Sequence, residues 1–168
     1  MATGRTVTKW IRFAVTDKDG DVREIPVDSI SPVGFVYDEV DLTAWQDAVK
    51  GYLANHPDAT IDITGPFDTT AETALAASGL APTLSGSHTV LSVINTVNWN
   101  PRGLWIAFGI RGYWTAATDP AFGVAAPSAT SGYVCTKYQV EGEKYSARFV
   151  PFPGTTPAWG TAILVNYA

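Results

Sequence analysis

Asp17, Asp19 and Asp21 alternate along Asp-Lys-Asp-Gly-Asp, the side-chain pattern with which a calcium loop opens. Gly20 interrupts the pattern, and the further ligands and distal glutamate of an EF-hand do not follow, so the stretch reads as a turn and no metal is expected. His56 and His88 are the only histidines, and neither stands in a His-Glu-x-x-His spacing. There is no Gly-x-Ser-x-Gly elbow, and no glycine-rich loop carries the Lys-Ser/Thr of a phosphate cradle. Glycoside hydrolysis needs two carboxylates at a set separation, and nothing singles out two of the sixteen acids. Cys135 stands alone, which rules out an intrachain disulfide and fits folding in a reducing cytoplasm. The expectation is a non-enzymatic chain with no cofactor.

Composition directs attention from chemistry to surfaces. In 168 residues, apolar types make up 46% and charged types 16%, against a usual charged share of about 25%. Six tryptophans, seven tyrosines and seven phenylalanines exceed what a scantily charged free surface accommodates, which suggests that partners cover part of it. Residues 1–84 carry thirteen acids and six bases, residues 85–168 three acids and five bases. Opposite halves of this kind favour head-to-tail association, although acids placed in turns explain much of the asymmetry. No basic patch tracks a phosphate backbone, so tight nucleic-acid binding is not expected. The N-terminus lacks an apolar signal-peptide core, and no apolar run approaches the ~18 residues of a membrane span.

The length suits a single domain, 1–168, with a sizeable core. Leu42, Trp45, Val49, Tyr52 and Leu53 recur at helical spacing. With Asp41 or Thr43 as cap and Asn55-His56-Pro57 as stop, they predict an amphipathic helix whose apolar face, Trp45 included, enters the core. Thr60 to Thr64 alternates as a half-buried strand. Val7–Val15 and Asp21–Ile25 predict a hairpin about Asp17–Gly20, followed by extended Val27–Ile30 and Phe35–Tyr37. The stretch 69–87 reads as a loop insertion. Ser87 is placed to cap a second short helix over His88–Ile94, where β-branched residues leave a strand open. Leu104–Ile110 reads as an apolar strand, 116–127 as loop, and Tyr133–Val140 with Tyr145–Phe152 as the clearest hairpin.

The order of these segments resembles the tail tube (major tail) proteins of long-tailed bacteriophages. The resemblance rests on Asp41-Leu42-Thr43 with the predicted helix to Leu53, Ile61-Asp62-Ile63-Thr64-Gly65-Pro66-Phe67-Asp68, Ser87-His88-Thr89-Val90-Leu91, and the terminal hairpin from Gly132 to Phe149. It implies a mainly β fold, an antiparallel sandwich or small barrel flanked by one or two short helices. It further implies subunits closing into six-fold rings that stack into a tube, alongside other virion proteins, assembled in a host cytoplasm and resident in the virion tail. DNA would pass only as non-specific cargo, and an acidic excess would keep the conduit from gripping it. No membrane is implied. Phe35, Tyr37, Asp38 and Glu39 before the predicted helix, and Pro66, Phe67 and Asp68 after the strand, are the expected inter-subunit contacts. Two alternatives remain: another virion structural protein, such as a capsid decoration or connector, and a carbohydrate-binding sandwich stacking sugars on Trp99, Trp105 or Trp114.

Overall fold

The computed structural model describes residues 11–74, 83–97, 100–109, 118–124 and 131–161. The first hairpin forms where the turn residues place it. β1 (Ile11–Thr16) and β2 (Val22–Glu24) pair antiparallel about Asp17–Gly20, with Gly20 at φ 90°. The Asp17 carboxylate organises that turn. One oxygen accepts the N–H groups of Asp19 and Asp21 at 2.8 and 3.0 Å, and the other accepts Arg23 Nε at 2.8 Å. Both oxygens are thus bonded within the turn itself.

Burial opposes ionisation of Asp17, but the Arg23 hydrogen bond, the two backbone N–H groups and the Arg23 charge outweigh it and hold the carboxyl below its ordinary 3.8. A carboxyl lowered in the fold contributes stability that is complete above the unfolded value and lost as pH falls through the folded one. Asp17→Asn is expected to cost about 1–3 kcal/mol at pH 7 and to shrink the stability lost below pH 3.8, as read by urea unfolding across that window.

Two open antiparallel sheets face one another. The first has the order β11-β8-β7-β1-β2, with β7 (Leu104–Phe108), β8 (Pro120–Val124) and β11 (Ala158–Thr161). The second has the order β3-β6-β10-β9, with β3 (Ser29–Ile30), β6 (Ile61–Pro66), β9 (Tyr133–Glu141) and β10 (Lys144–Pro151). Phe13 and Val15, Ile61 and Ile63, and Tyr145, Ala147 and Phe149 alternate inward, so one apolar cluster joins both sheets. The Phe13 and Phe149 rings meet at 5.6 Å across the layers. α1 (Ser87–Ile94) adds Val90, Leu91 and Ile94 to the same cluster. The mainly β sandwich expected from the sequence is therefore present; among the described residues the sheets are open rather than closed into a barrel, and there is one helix.

The second face of the five-stranded sheet is buried as well. Arg12, Ala14, Glu24, Trp105 and Ala107 share it, each at most 3% exposed. The continuous apolar run of β7 is the sequence signature of a strand covered on both sides. Arg12 forks onto Glu24, with Nε 2.7 Å from one oxygen and Nη2 against the other.

Several expectations are corrected. The largest concerns residues 42–53, which form no helix. β4 (Val36–Asp41) and β5 (Tyr52–Asp58) pair as a separate two-stranded sheet, and 42–51 is the loop at its end. Local side-chain bonds capture the backbone there. Asp41 Oδ1 accepts the Thr43 N–H and hydroxyl at 2.9 and 2.6 Å, Asp47 accepts the Ala44 N–H at 2.8 Å, and Thr43 Oγ1 accepts the Gly51 N–H at 2.9 Å. These bonds offer the chain an alternative to the helical ladder. Asn55-His56-Pro57 consequently lies within β5 and stops nothing; the proline sits in a ribbon with free edges, where its missing N–H is tolerated.

Residues 120–124, expected to be loop, form β8 because Ala121, Phe122 and Val124 are buried between β7 and β11. The helix after residue 86 resolves the alternative left at 88–94, but Ser87 does not cap it. Gly86 occupies the N-cap, and the Ser87 hydroxyl donates to the Pro66 carbonyl at 2.9 Å and accepts the Asp68 N–H at 3.1 Å, tying the helix to the end of β6. Tyr133–Glu141 and Lys144–Pro151 form the expected hairpin. The middle of the 69–87 insertion, Ile110 and the chain after Thr161 lie outside the described residues.

Candidate functional site

The β4–β5 ribbon is exposed at every position of both strands. Along it and its loop, Val36, Tyr37, Val40, Leu42, Val49, Tyr52 and Leu53 are 41–79% exposed, and Trp45 is 100% exposed. A sandwich strand hides one face in the core; this ribbon hides neither. An isolated two-stranded hairpin is marginal in water, and so large an array of exposed apolar side chains makes the ribbon the candidate interaction surface. Its charges are Asp38, Glu39, Asp41, Asp47 and Asp58 against Lys50, so the arm is acidic as well as apolar.

The expected contact residues fall into two groups. Phe35 roots the ribbon: it is half-buried, with its ring 5.5 Å from Phe122 in an edge-on contact and 6.3 Å from Tyr37. Tyr37 faces Pro57 and Glu39 faces Ala54, while Asp38 sits at the register shift between them, so the acids occupy the irregular point of β4. Pro66, Phe67 and Asp68 stand elsewhere, beside α1 and the β9–β10 turn. The Phe67 N–H donates to Glu143 O at 2.8 Å, and its ring lies 4.9 Å from His88, whose Nδ1 is 3.0 Å from the Tyr138 hydroxyl. The Asp68 carbonyl accepts the His88 N–H at 2.9 Å. This second group anchors the helix within the subunit. Only Phe67, 40% exposed, and Pro66 offer appreciable outward surface.

Asp41, Asp58 and Asp68 share one device. Each carboxylate accepts the hydroxyl and N–H of the threonine two residues on, and those bonds hold all three carboxyls below the ordinary aspartate value. The Asp-x-Thr spacing was the readable sign of tight turns here, and in 41–43 it argues for a turn over a helix.

Trp45, expected in the core, touches no core at all. Trp45→Ala is accordingly expected to change stability by no more than about 0.5 kcal/mol, checked by urea unfolding. A buried tryptophan would cost ~3–5 kcal/mol. Trp105 is 1% exposed and offers no sugar platform, while Trp99 and Trp114 lie outside the described residues. Burial pushes the Cys135 thiol up to about 11, leaving it unreactive near neutrality.

No protein-family model and no curated protein matches the chain by sequence. Solved structures match it by shape. A chain of the anti-feeding prophage (AFP) baseplate, in a six-fold symmetrised cryo-EM structure, superposes with a TM-score of 0.63 at 7% identity, over 96% of this chain and 99% of that one. A chain of the sheath–tube complex of the extracellular contractile injection system PVC, in its extended state, gives 0.51 at 11% identity, over 94% and 92%. The chain is similar in fold to components of contractile injection systems. The likeness spans almost the full length on both sides, so it concerns the whole sandwich rather than a shared motif.

Proposed function

We propose that this chain is a structural subunit of a phage tail-like particle, one that assembles with copies of itself into the rings of a tail tube. The observation that carries the reading is the ribbon: an acidic, apolar two-stranded arm exposed on both faces, borne on a fold shared with injection-system components. An arm with no partner in its own subunit acquires one on assembly. Ring closure would also pair open sheet edges that are otherwise an aggregation hazard. The absence of a basic track suits a conduit through which DNA passes as cargo without being held. The stronger likeness to a baseplate chain favours one second reading, a ring component at the baseplate end rather than along the tube.

The experiment is assembly of the purified chain. Concentrated wild-type protein should form rings or tubes in negative stain. Asp38→Lys with Glu39→Lys should abolish them while leaving the melting temperature unchanged, because both side chains are exposed. Strictly monomeric protein at high concentration would refute self-assembly. Rings that never stack would favour the baseplate reading.

A further inference from the structure

The β4–β5 ribbon is carried by its root. Every residue of both strands is exposed, so the body gives the arm little bracing along its length. The six residues of β4 extend ~20 Å at ~3.3 Å per residue, and over that length a tilt of ~10° displaces the tip by ~3.5 Å. An arm free to swing would lose that freedom on every association, at a cost in affinity.

Two chain crossings join the ribbon to the body, and both are fastened. On the way in, the Ser31 N–H donates to Asp62 O at 2.8 Å and the Ser31 hydroxyl accepts the Asp62 N–H at 2.9 Å, tying the segment to β6. Gly34, at φ 130°, then turns the chain into the arm, a bend that glycine alone would leave loose. Phe35 steadies it: its ring meets the core residue Phe122 edge-on at 5.5 Å. On the way out, only Ala59 and Thr60 separate β5 from β6. Asp58 Oδ1 accepts the Thr60 N–H and hydroxyl at 3.0 and 2.7 Å, and Ala59 between them is buried. The Tyr133 hydroxyl donates to the Ala59 carbonyl at 2.9 Å. Tyr133 is itself held, since its N–H and carbonyl both bond the Arg102 backbone at 2.7 Å, and Arg102 Nη1 donates to the Asp17 carbonyl at 2.7 Å. The Tyr133 ring belongs to the apolar core, and its hydroxyl reaches the foot of the ribbon.

We propose that Tyr133 is a positioning residue: its bond to Ala59, with the Phe35–Phe122 contact across the root, locks the ribbon at one angle in the free subunit. The inference rests on the ribbon being the assembly arm, and adds that the arm is oriented before a neighbouring copy arrives. Assembly then orders little that was loose, which is how preorganisation raises affinity without a new contact.

The test measures the arm in the full chain, diluted until it is monomeric. Nitroxide labels on Val49→Cys near the tip and Gln139→Cys on β9 report the arm-to-body distance by double electron–electron resonance, and the buried Cys135 takes no label. The otherwise wild-type chain should give one narrow distribution. Tyr133→Phe, which keeps the ring, should broaden it about twofold or more, and Phe35→Leu should do so from the other crossing. Tyr145→Phe is the control: its hydroxyl donates to the Pro26 carbonyl at 2.7 Å from a comparably buried ring outside both crossings, so a similar bond is lost and the distribution stays narrow. In sedimentation velocity, Tyr133→Phe should weaken self-association roughly tenfold, and Tyr145→Phe should not. A distribution already broad in the wild-type background, or one that Tyr133→Phe leaves unchanged, would overturn the lock, while wild-type rings or tubes would leave self-assembly standing. A narrow distribution that Tyr133→Phe broadens, in a chain that never assembles, would keep the lock and refute the assembly reading.

Discussion

Gly123→Val is expected to cost about 3 kcal/mol or more and to lower the melting temperature by roughly 6–12 °C, as read by circular dichroism. Gly123 stands opposite Trp105 in the β7–β8 pairing. A Cβ there would fall 1.9 Å from the Leu104 carbonyl oxygen and 3.1 Å from the Trp105 Cα. Both obstacles are backbone, so no side-chain rotation relieves the clash and the strands must part. β8 bridges β7 and β11 in the five-stranded sheet, and Phe122 carries its central contact into the core. Separation would therefore break sheet order and core packing together. A variant melting with the wild type would show that β8 does not pair as described.

Glu24→Ala is the second large effect, about 3–5 kcal/mol, because it removes the carboxylate against which the buried Arg12 guanidinium is set. The balance within the pair is unfavourable to its charges. Burial pushes the Glu24 carboxyl above its ordinary value despite the opposing hydrogen bond and charge of Arg12. The proton-linked contribution of Glu24 is thus complete below about pH 4.5 and lost as pH rises through the raised value, opposite in sign to Asp17. Replacing both partners by apolar residues of similar volume, Arg12→Met with Glu24→Leu, should recover most of the loss. A double-mutant cycle measures the coupling, and simple additivity of the two single losses would contradict it.

How far the sequence alone could be read varied with the kind of signal. The Asp17–Gly20 hairpin and the β9–β10 hairpin were legible because turn chemistry and strand alternation agreed and both acted locally. The apolar run of β7 was legible as a strand, and the structure adds that both of its faces are covered. Residues 120–124 were not legible: Asp119-Pro120 and Gly123 punctuate the segment like a loop, and only pairing with two neighbours makes it a strand. The error over 42–53 was of another kind. Its apolar residues do fall at helical spacing, but Thr43 and Asp47 hold the backbone in turns.

The expected contact residues lie in two parts of the fold. Phe35 to Glu39 lie at the root and along the exposed arm, where the sequence placed an interface. Asp68 bonds Thr70 and the start of α1, an arrangement visible only once β6 and the helix are brought together.

By itself, then, the sequence determined the mainly β class, the turns and the absence of a recognisable catalytic motif, because these depend on residue types and short spacings. Tertiary structure alone decided where the apolar residues around Trp45 go. A periodic apolar pattern records that side chains seek cover but not whether the cover comes from the same chain. The sandwich fills its interior with Phe13, Phe122, Tyr145 and Phe149 and leaves the Trp45 arm outside, exposed on both faces.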